Sequence, residues 1–74
     1  MRLRDLREDR DMTQVELAEC LHVAQSTLSQ YENGQRQLPM ELLIEAAKFF
    51  ETSTDYILGL TNERKPYPRK RMEK

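Results

Sequence analysis

At 74 residues, 38% apolar and 34% charged with two glycines and three prolines, the chain has material for one compact helical domain at most; it buries only about 60% of its unfolded surface, leaving no room for an enclosed active site. A single cysteine, Cys20, rules out an intrachain disulfide and points to the reducing cytoplasm, and neither an apolar leader nor a run of ~18 apolar residues is available for export or membrane crossing. The formal charge of −1 argues against a strongly basic nucleic-acid coat, yet it combines an acidic body, six bases against eleven acids in residues 1–60, with a basic end, six bases against two acids in 61–74.

Leu3 and Leu6, three apart in a charged opening, predict a short amphipathic first helix that ends near Arg10, with Asp11 and Met12 as the break. Thr13 followed three residues later by Glu16 is a capping box, which satisfies the free amides of a helix start, and Leu17, Ala18 and Leu21 form one apolar face behind it. The second helix is thus expected over about 13–21. After His22, Val23 and Ala24 the next apolar stripe is Leu28 and Tyr31, and Asn33-Gly34 stops a third helix over about 25–33. Its opposite face holds Gln25, Ser26, Ser29 and Gln30, neutral donors and acceptors where a merely solvated face would hold lysine and glutamate.

Pro39 suits the first turn of a fourth helix over about 39–50, whose face of Leu42, Leu43, Ala46, Ala47, Phe49 and Phe50 is the most hydrophobic of the chain. Ser53 caps a short fifth helix through Leu58, and Gly59 stops it. From Thr61 onward TNERKPYPRKRMEK has prolines on both sides of Tyr67 and no apolar period, so the expectation is a folded domain over 1–61 and a disordered basic tail over 62–74. That tail either adds backbone contacts to DNA or merely solubilises the chain.

The run TQVELAECLHVAQSTLSQYENGQRQLP, Thr13 to Pro39, resembles the helix-turn-helix of phage Cro and repressor proteins and their Xre-type bacterial relatives, and the likeness extends to STDYILGLT, covering roughly 1–61. Thr13-Gln14, Glu16-Leu17-Ala18, Tyr31-Glu32-Asn33-Gly34 and Asp55-Tyr56 carry it. It implies an all-α, five-helix, lambda-repressor-like fold with the motif at helices 2 and 3, and a non-enzymatic, cofactor-free transcriptional regulator, a repressor by preference, that binds double-stranded DNA. The resemblance makes Gln25, Ser26 and Gln30 the base readers, with Ser29 and Thr27 as lesser candidates. Gln and Ser suit that work because their paired donors and acceptors match base edges in the major groove. Gln14 and the group Asn33, Gln35, Arg36 and Gln37 fall where relatives hold backbone phosphates, and Arg7 and Glu32 correspond to a buried ion pair.

Two positions depart from the family pattern. His22 stands where glycine commonly takes a positive φ, and Ala24 where serine or threonine commonly caps the third helix. The loop after that helix offers Arg36 alone among glutamines, which implies weaker phosphate binding than in relatives. Cys20 and His22 are too few to complete a metal shell, and no oriented acid accompanies His22 and Ser26 for nucleophilic chemistry. Phe50 and Ile57 match core positions, while Phe49, Tyr56 and Leu60 exceed what so small a core needs. They are therefore the expected homodimer surface, suited to a palindromic operator with half-sites about 34 Å apart. A protein-docking module, such as an antitoxin subunit, antirepressor or adaptor with a regulatory protein partner, is the rival reading, favoured by the acidic body.

Overall fold

Five helices and no strands are found among the described residues, 1–65, of a computed structural model: α1 (Leu3–Asp9), α2 (Gln14–Leu21), α3 (Gln25–Glu32), α4 (Met40–Phe49) and α5 (Thr54–Leu58). Residues 66–74, most of the expected tail, lie outside the described residues. The starts of α2 and α5 follow from their side chains. Thr13 Oγ1 accepts from the Glu16 amide at 3.1 Å while Glu16 Oε1 accepts from the Thr13 amide at 2.8 Å, a closed capping box. Ser53 Oγ accepts from the Tyr56 amide at 3.0 Å. Pro39 occupies the extended N-cap of α4, one residue before the first turn in which the sequence pattern placed it, and Asn33 is the C-cap of α3.

Each helix ends in the same way. A residue with positive φ follows it, at Asp11, His22, Gly34, Glu51 and Gly59. The next amide then reaches back five residues: Met12 to Arg7 O, Val23 to Ala18 O, Gln35 to Gln30 O, Thr52 to Ala47 O and Leu60 to Asp55 O, at 2.8 to 3.1 Å. This is the Schellman arrangement, which satisfies carbonyls that the helix end would otherwise strand. Only two of the five positions are glycine, so three helix ends carry a side chain in the left-handed region.

The core joins Leu3 and Leu6 of α1, Leu17 and Leu21 of α2, Leu28 and Tyr31 of α3, Leu43 and Ala46 of α4, and Phe50 and Ile57. Leu3, Leu6, Leu17, Leu28 and Ile57 are fully buried, and burying each such side chain contributes about 1.5–3 kcal/mol. Phe50 and Ile57 thus take the core places read from the sequence. Phe49 and Tyr56, expected at a dimer surface, are partly buried: both pack against this core, and each has an arginine against its ring. The Arg10 guanidinium lies 5.1 Å from the Phe49 ring centroid and 5.3 Å from that of Phe50, which meets Phe49 edge-on. Arg2 sits 4.2 Å over Tyr56, where the quadrupole of the ring face attracts a cation.

Arg2 also joins the two ends of the described chain. Its amide donates to Ile57 O at 2.8 Å, and its Nη1 and Nη2 donate to Tyr56 O, Thr61 O and Asn62 Oδ1 at 2.6 to 2.7 Å. Contacts therefore run past Thr61: the Thr52 hydroxyl donates to Arg64 O, and Arg64 Nη1 lies 3.7 Å from Asp9 Oδ2. No helix among the described residues is long and apolar enough to cross a membrane.

Candidate nucleic-acid interface

The turn between α2 and α3 is built from His22, at φ 60 and ψ 41, and Ala24, which begins α3 without a side-chain cap. His22 thus adopts the left-handed conformation that its place in the motif implies. The turn packs α3 on α2, buries Leu28 and Tyr31 in the core and leaves the other face of α3 outward. Gln25, Ser26 and Gln30 are exposed there, and Ser29 and Thr27 are partly exposed at its edges. The predicted reading residues therefore share one surface made of amides and hydroxyls.

Beneath that surface lies one carboxylate. Glu32, at the end of α3, has no solvent-exposed side-chain surface and meets Arg7 of α1 in a two-pronged bond, Nε to Oε2 at 2.7 Å and Nη2 to Oε1 at 3.1 Å. Arg7 Nη1 also donates to Met12 O at 2.8 Å, which ties the end of α1 to the same point. Burial pushes the Glu32 carboxyl up. The hydrogen bonds from Arg7 and Gln14, together with the charges of Arg7 and Arg4, outweigh it and hold the group below its ordinary value. The bond to Glu32 in turn strengthens the hold of Arg7 on its proton.

The sequence pattern did not reveal what Gln14 touches. Its Nε2 donates to Glu32 Oε1 at 3.1 Å, and its Oε1 accepts from Gln25 Nε2 at 3.4 Å. Gln14, expected at a phosphate, therefore links the buried ion pair to the first residue of α3. Asn33, at the other end of α3, accepts from Arg4 Nη2 at 2.7 Å through Oδ1 and donates from Nδ2 to Ser29 Oγ at 3.4 Å. Arg4 Nε stands 3.7 Å from Glu32 Oε1. Gln35 and Arg36 donate their amides to Gln30 O, fixing the loop backbone, and the side chains of Gln35, Arg36 and Gln37 are exposed.

Arg4 is the member of this cluster that sequence reasoning missed. Its spacing carried a signal: it precedes Arg7 by one helical turn and so shares its face of α1. Leu60 alone of the three expected dimer residues is strongly exposed, at 72%; Met1, Val15, Met40, Ile44 and Leu58 are further exposed apolar side chains. Met40 and Leu58 line an open groove with Met1, Leu38 and Leu43, beside the loop that follows α3. Cys20 and His22 are exposed, and no cluster of three metal-binding side chains occurs among the described residues.

Comparison with known proteins agrees with this geometry. Residues 3–57 match the model of the family described as helix-turn-helix. The chain is similar to the uncharacterized HTH-type transcriptional regulator YobD of Bacillus subtilis, 38% identical over 65 residues that cover 88% of this chain and 58% of that protein. It is similar to the HTH-type transcriptional regulator ImmR of the same organism, 36% identical over 58 residues, 78% of this chain and 46% of that protein. The HTH-type transcriptional activator BcrR of Enterococcus faecalis is 37% identical over 58 residues, 78% of this chain and 28% of that protein. This chain spans 58% of YobD and less of the other two. No solved structure matches it at comparable stringency. Because the match runs from the first residue of α1 into the last turn of α5, the chain belongs to the helix-turn-helix family.

Proposed function

We propose that this chain is a cytoplasmic, sequence-specific DNA-binding transcriptional regulator that lays α3 in the major groove of a palindromic operator as a homodimer and represses by occupying it. One observation carries the reading: the outward face of α3 presents Gln25, Ser26 and Gln30, flanked by Ser29 and Thr27, with no charge among them. Side chains of this kind discriminate base edges by paired hydrogen bonds, whereas charged ones hold the backbone of any sequence. Gln14 at one end of the motif and Asn33, Gln35, Arg36 and Gln37 at the other are suited to the phosphates on either side of the groove.

A single α3 spans too few bases for an operator, so a second copy related by a two-fold axis completes the site. Among the apolar side chains available for pairing, Leu60, Leu58, Met40 and Ile44 are each at least 40% exposed, and Phe49 and Tyr56 are partly exposed beside their guanidiniums. Repression follows from occupancy alone, since steric exclusion needs no further domain.

A gel mobility shift against the DNA flanking the gene, at two salt concentrations, tests the reading. The expected result is a shift that survives excess random competitor and weakens as salt rises; equal competition by random DNA removes sequence specificity from it. The open groove, lined by Met1, Met40 and Leu58 together with the polar loop from Asn33 to Gln37, and the acid excess of residues 1–60 favour a second reading, a docking module for a regulatory protein. The face of α3 weighs against that, because it lacks the aromatic and aliphatic anchors that dominate protein interfaces.

A further inference from the structure

We infer that Arg4 is a backbone-phosphate ligand of this interface, acting with Asn33, whose side chain it orients. The inference rests on the DNA-binding reading and adds to it a cation on α1, outside the helix-turn-helix itself.

The charges around Glu32 do not cancel. Two guanidiniums converge on one carboxylate: Arg7 takes both of its oxygens, while Arg4 approaches Oε1 only at 3.7 Å. Glu8 adds a carboxylate at 3.9 Å from Arg7, from an exposed position where water screens it. With Arg7 and Glu32 matched inside the fold, the charge of Arg4 is left over at the surface, on a side chain that is 48% exposed.

The hydrogen bonds aim that charge. Arg4 Nη2 donates to Asn33 Oδ1 at 2.7 Å, which occupies the amide oxygen and leaves Nδ2 as the outward donor of Asn33. That Nδ2 is held by Ser29 Oγ only at 3.4 Å, a long bond readily exchanged for a phosphate oxygen. A guanidinium has five N–H donors, and one bond to Asn33 leaves others to meet the same anion. A cationic donor beside a neutral donor, both fixed by neighbours, makes a strong oxyanion seat. Gln14 shares Glu32 Oε1, so this seat lies next to the link between the two ends of the motif. The loop from Asn33 to Gln37 has one cation of its own, Arg36, and Arg4 doubles that number.

Arg4→Gln and Arg4→Lys, titrated by fluorescence anisotropy against a labelled random-sequence duplex of about 30 base pairs over a salt series, test the assignment. Each phosphate contact contributes about 0.9 to the slope of log affinity against log salt, so Arg4→Gln should flatten the slope by about that amount. Across a fourfold rise in salt the wild type then loses about 3.5 times more of its affinity than Arg4→Gln does. Arg4→Lys, which keeps the charge, should retain the wild-type slope. Thermal melts of the same proteins separate structure from contact, because the slope counts phosphates and is blind to a modest loss of stability. Arg4→Gln with the wild-type slope overturns the assignment, whatever its melting temperature, and leaves the DNA-binding reading standing. Failure of the wild type to bind any duplex at about 50 mM salt overturns both.

Discussion

α2 and α3 are each eight residues long, yet α2 is closed by its own sequence at both ends whereas α3 is closed locally only at its C-terminal end, by Gly34, and is otherwise held by its neighbours. α2 begins in a reciprocal capping box and ends in a left-handed histidine. α3 begins at Ala24 with no side-chain cap, and its attachments to the rest of the fold are Leu28, Tyr31 and the Glu32 cluster. Local capping makes α2 a rigid platform. Tertiary anchoring of α3 through one face and its final residue leaves its outward side chains lightly held: Gln25 and Ser29 make only 3.4 Å bonds, to Gln14 and Asn33. The helix with no side-chain cap at its start is also the one whose outer side chains are most lightly held.

If that contrast is right, the largest loss comes from cutting the tertiary anchor of α3. Glu32→Ala strands the Arg7 guanidinium, 11% exposed, and should cost about 3–5 kcal/mol, most of what a domain of this size possesses. A thermal or urea melt reads it directly, and pairing the change with Arg7→Met should restore part of the loss because no buried charge then remains. Acid acts on the same site. The unfolded chain holds the Glu32 proton more readily than the folded one, since the folded carboxyl lies below its ordinary value. The stabilisation is therefore complete above the usual carboxylate range and is lost as pH falls through the lowered folded value. Glu32→Gln should flatten this acid limb of the stability curve; an unchanged limb would place the dominant carboxylate elsewhere.

Next in size are the recognition residues, whose effect appears in binding and hardly in stability. Gln25→Ala should weaken operator binding by about 1–3 kcal/mol while barely changing affinity for random DNA. The bonds of Gln14 to both Glu32 and Gln25 sharpen the companion prediction: Gln14→Ala removes the proposed phosphate donor and also frees Gln25, so it should lower affinity for all DNA and erode part of the base preference. Competition titrations on operator variants distinguish that mixed pattern from the purely uniform loss of a residue that only holds phosphate.

Smaller effects test the helix ends. Thr13→Ala opens the capping box of α2 and should cost about 1 kcal/mol in an equilibrium melt. Ala24→Ser supplies the cap that α3 lacks and should gain about 0.5–1 kcal/mol. An unchanged melt for Ala24→Ser would mean that the uncapped start of α3 costs the fold nothing.

Much of this architecture was legible in the sequence, because the signals concerned act over a few residues. The Thr13–Glu16 box, the Ser53 cap and the stops at Gly34 and Gly59 each fix a backbone group within one turn, and the five helices begin and end within a residue or two of where those signals fall. The left-handed conformation at His22 and the Arg7–Glu32 bond followed from the place of these residues in a familiar motif, which encodes a tertiary arrangement that periodicity cannot.

The long arginine side chains were another matter. Four of them leave α1 and its flanks at Arg2, Arg4, Arg7 and Arg10, and their spacing gives only the helix face from which each departs. Their ends were decided by the packing of helices distant in the chain: Arg2 reaches partners 54 to 60 residues away, Arg4 reaches Asn33, and Arg10 covers Phe49 and Phe50. The exposure of Phe49 and Tyr56 could not be judged beforehand for the same reason. Local hydrogen bonding and apolar periodicity thus determined where the helices are and which faces turn inward. The positions of guanidiniums, and with them the covered aromatics, the anchoring of α3 and the cation beside Asn33, depended on interhelical distances that only the assembled fold defines.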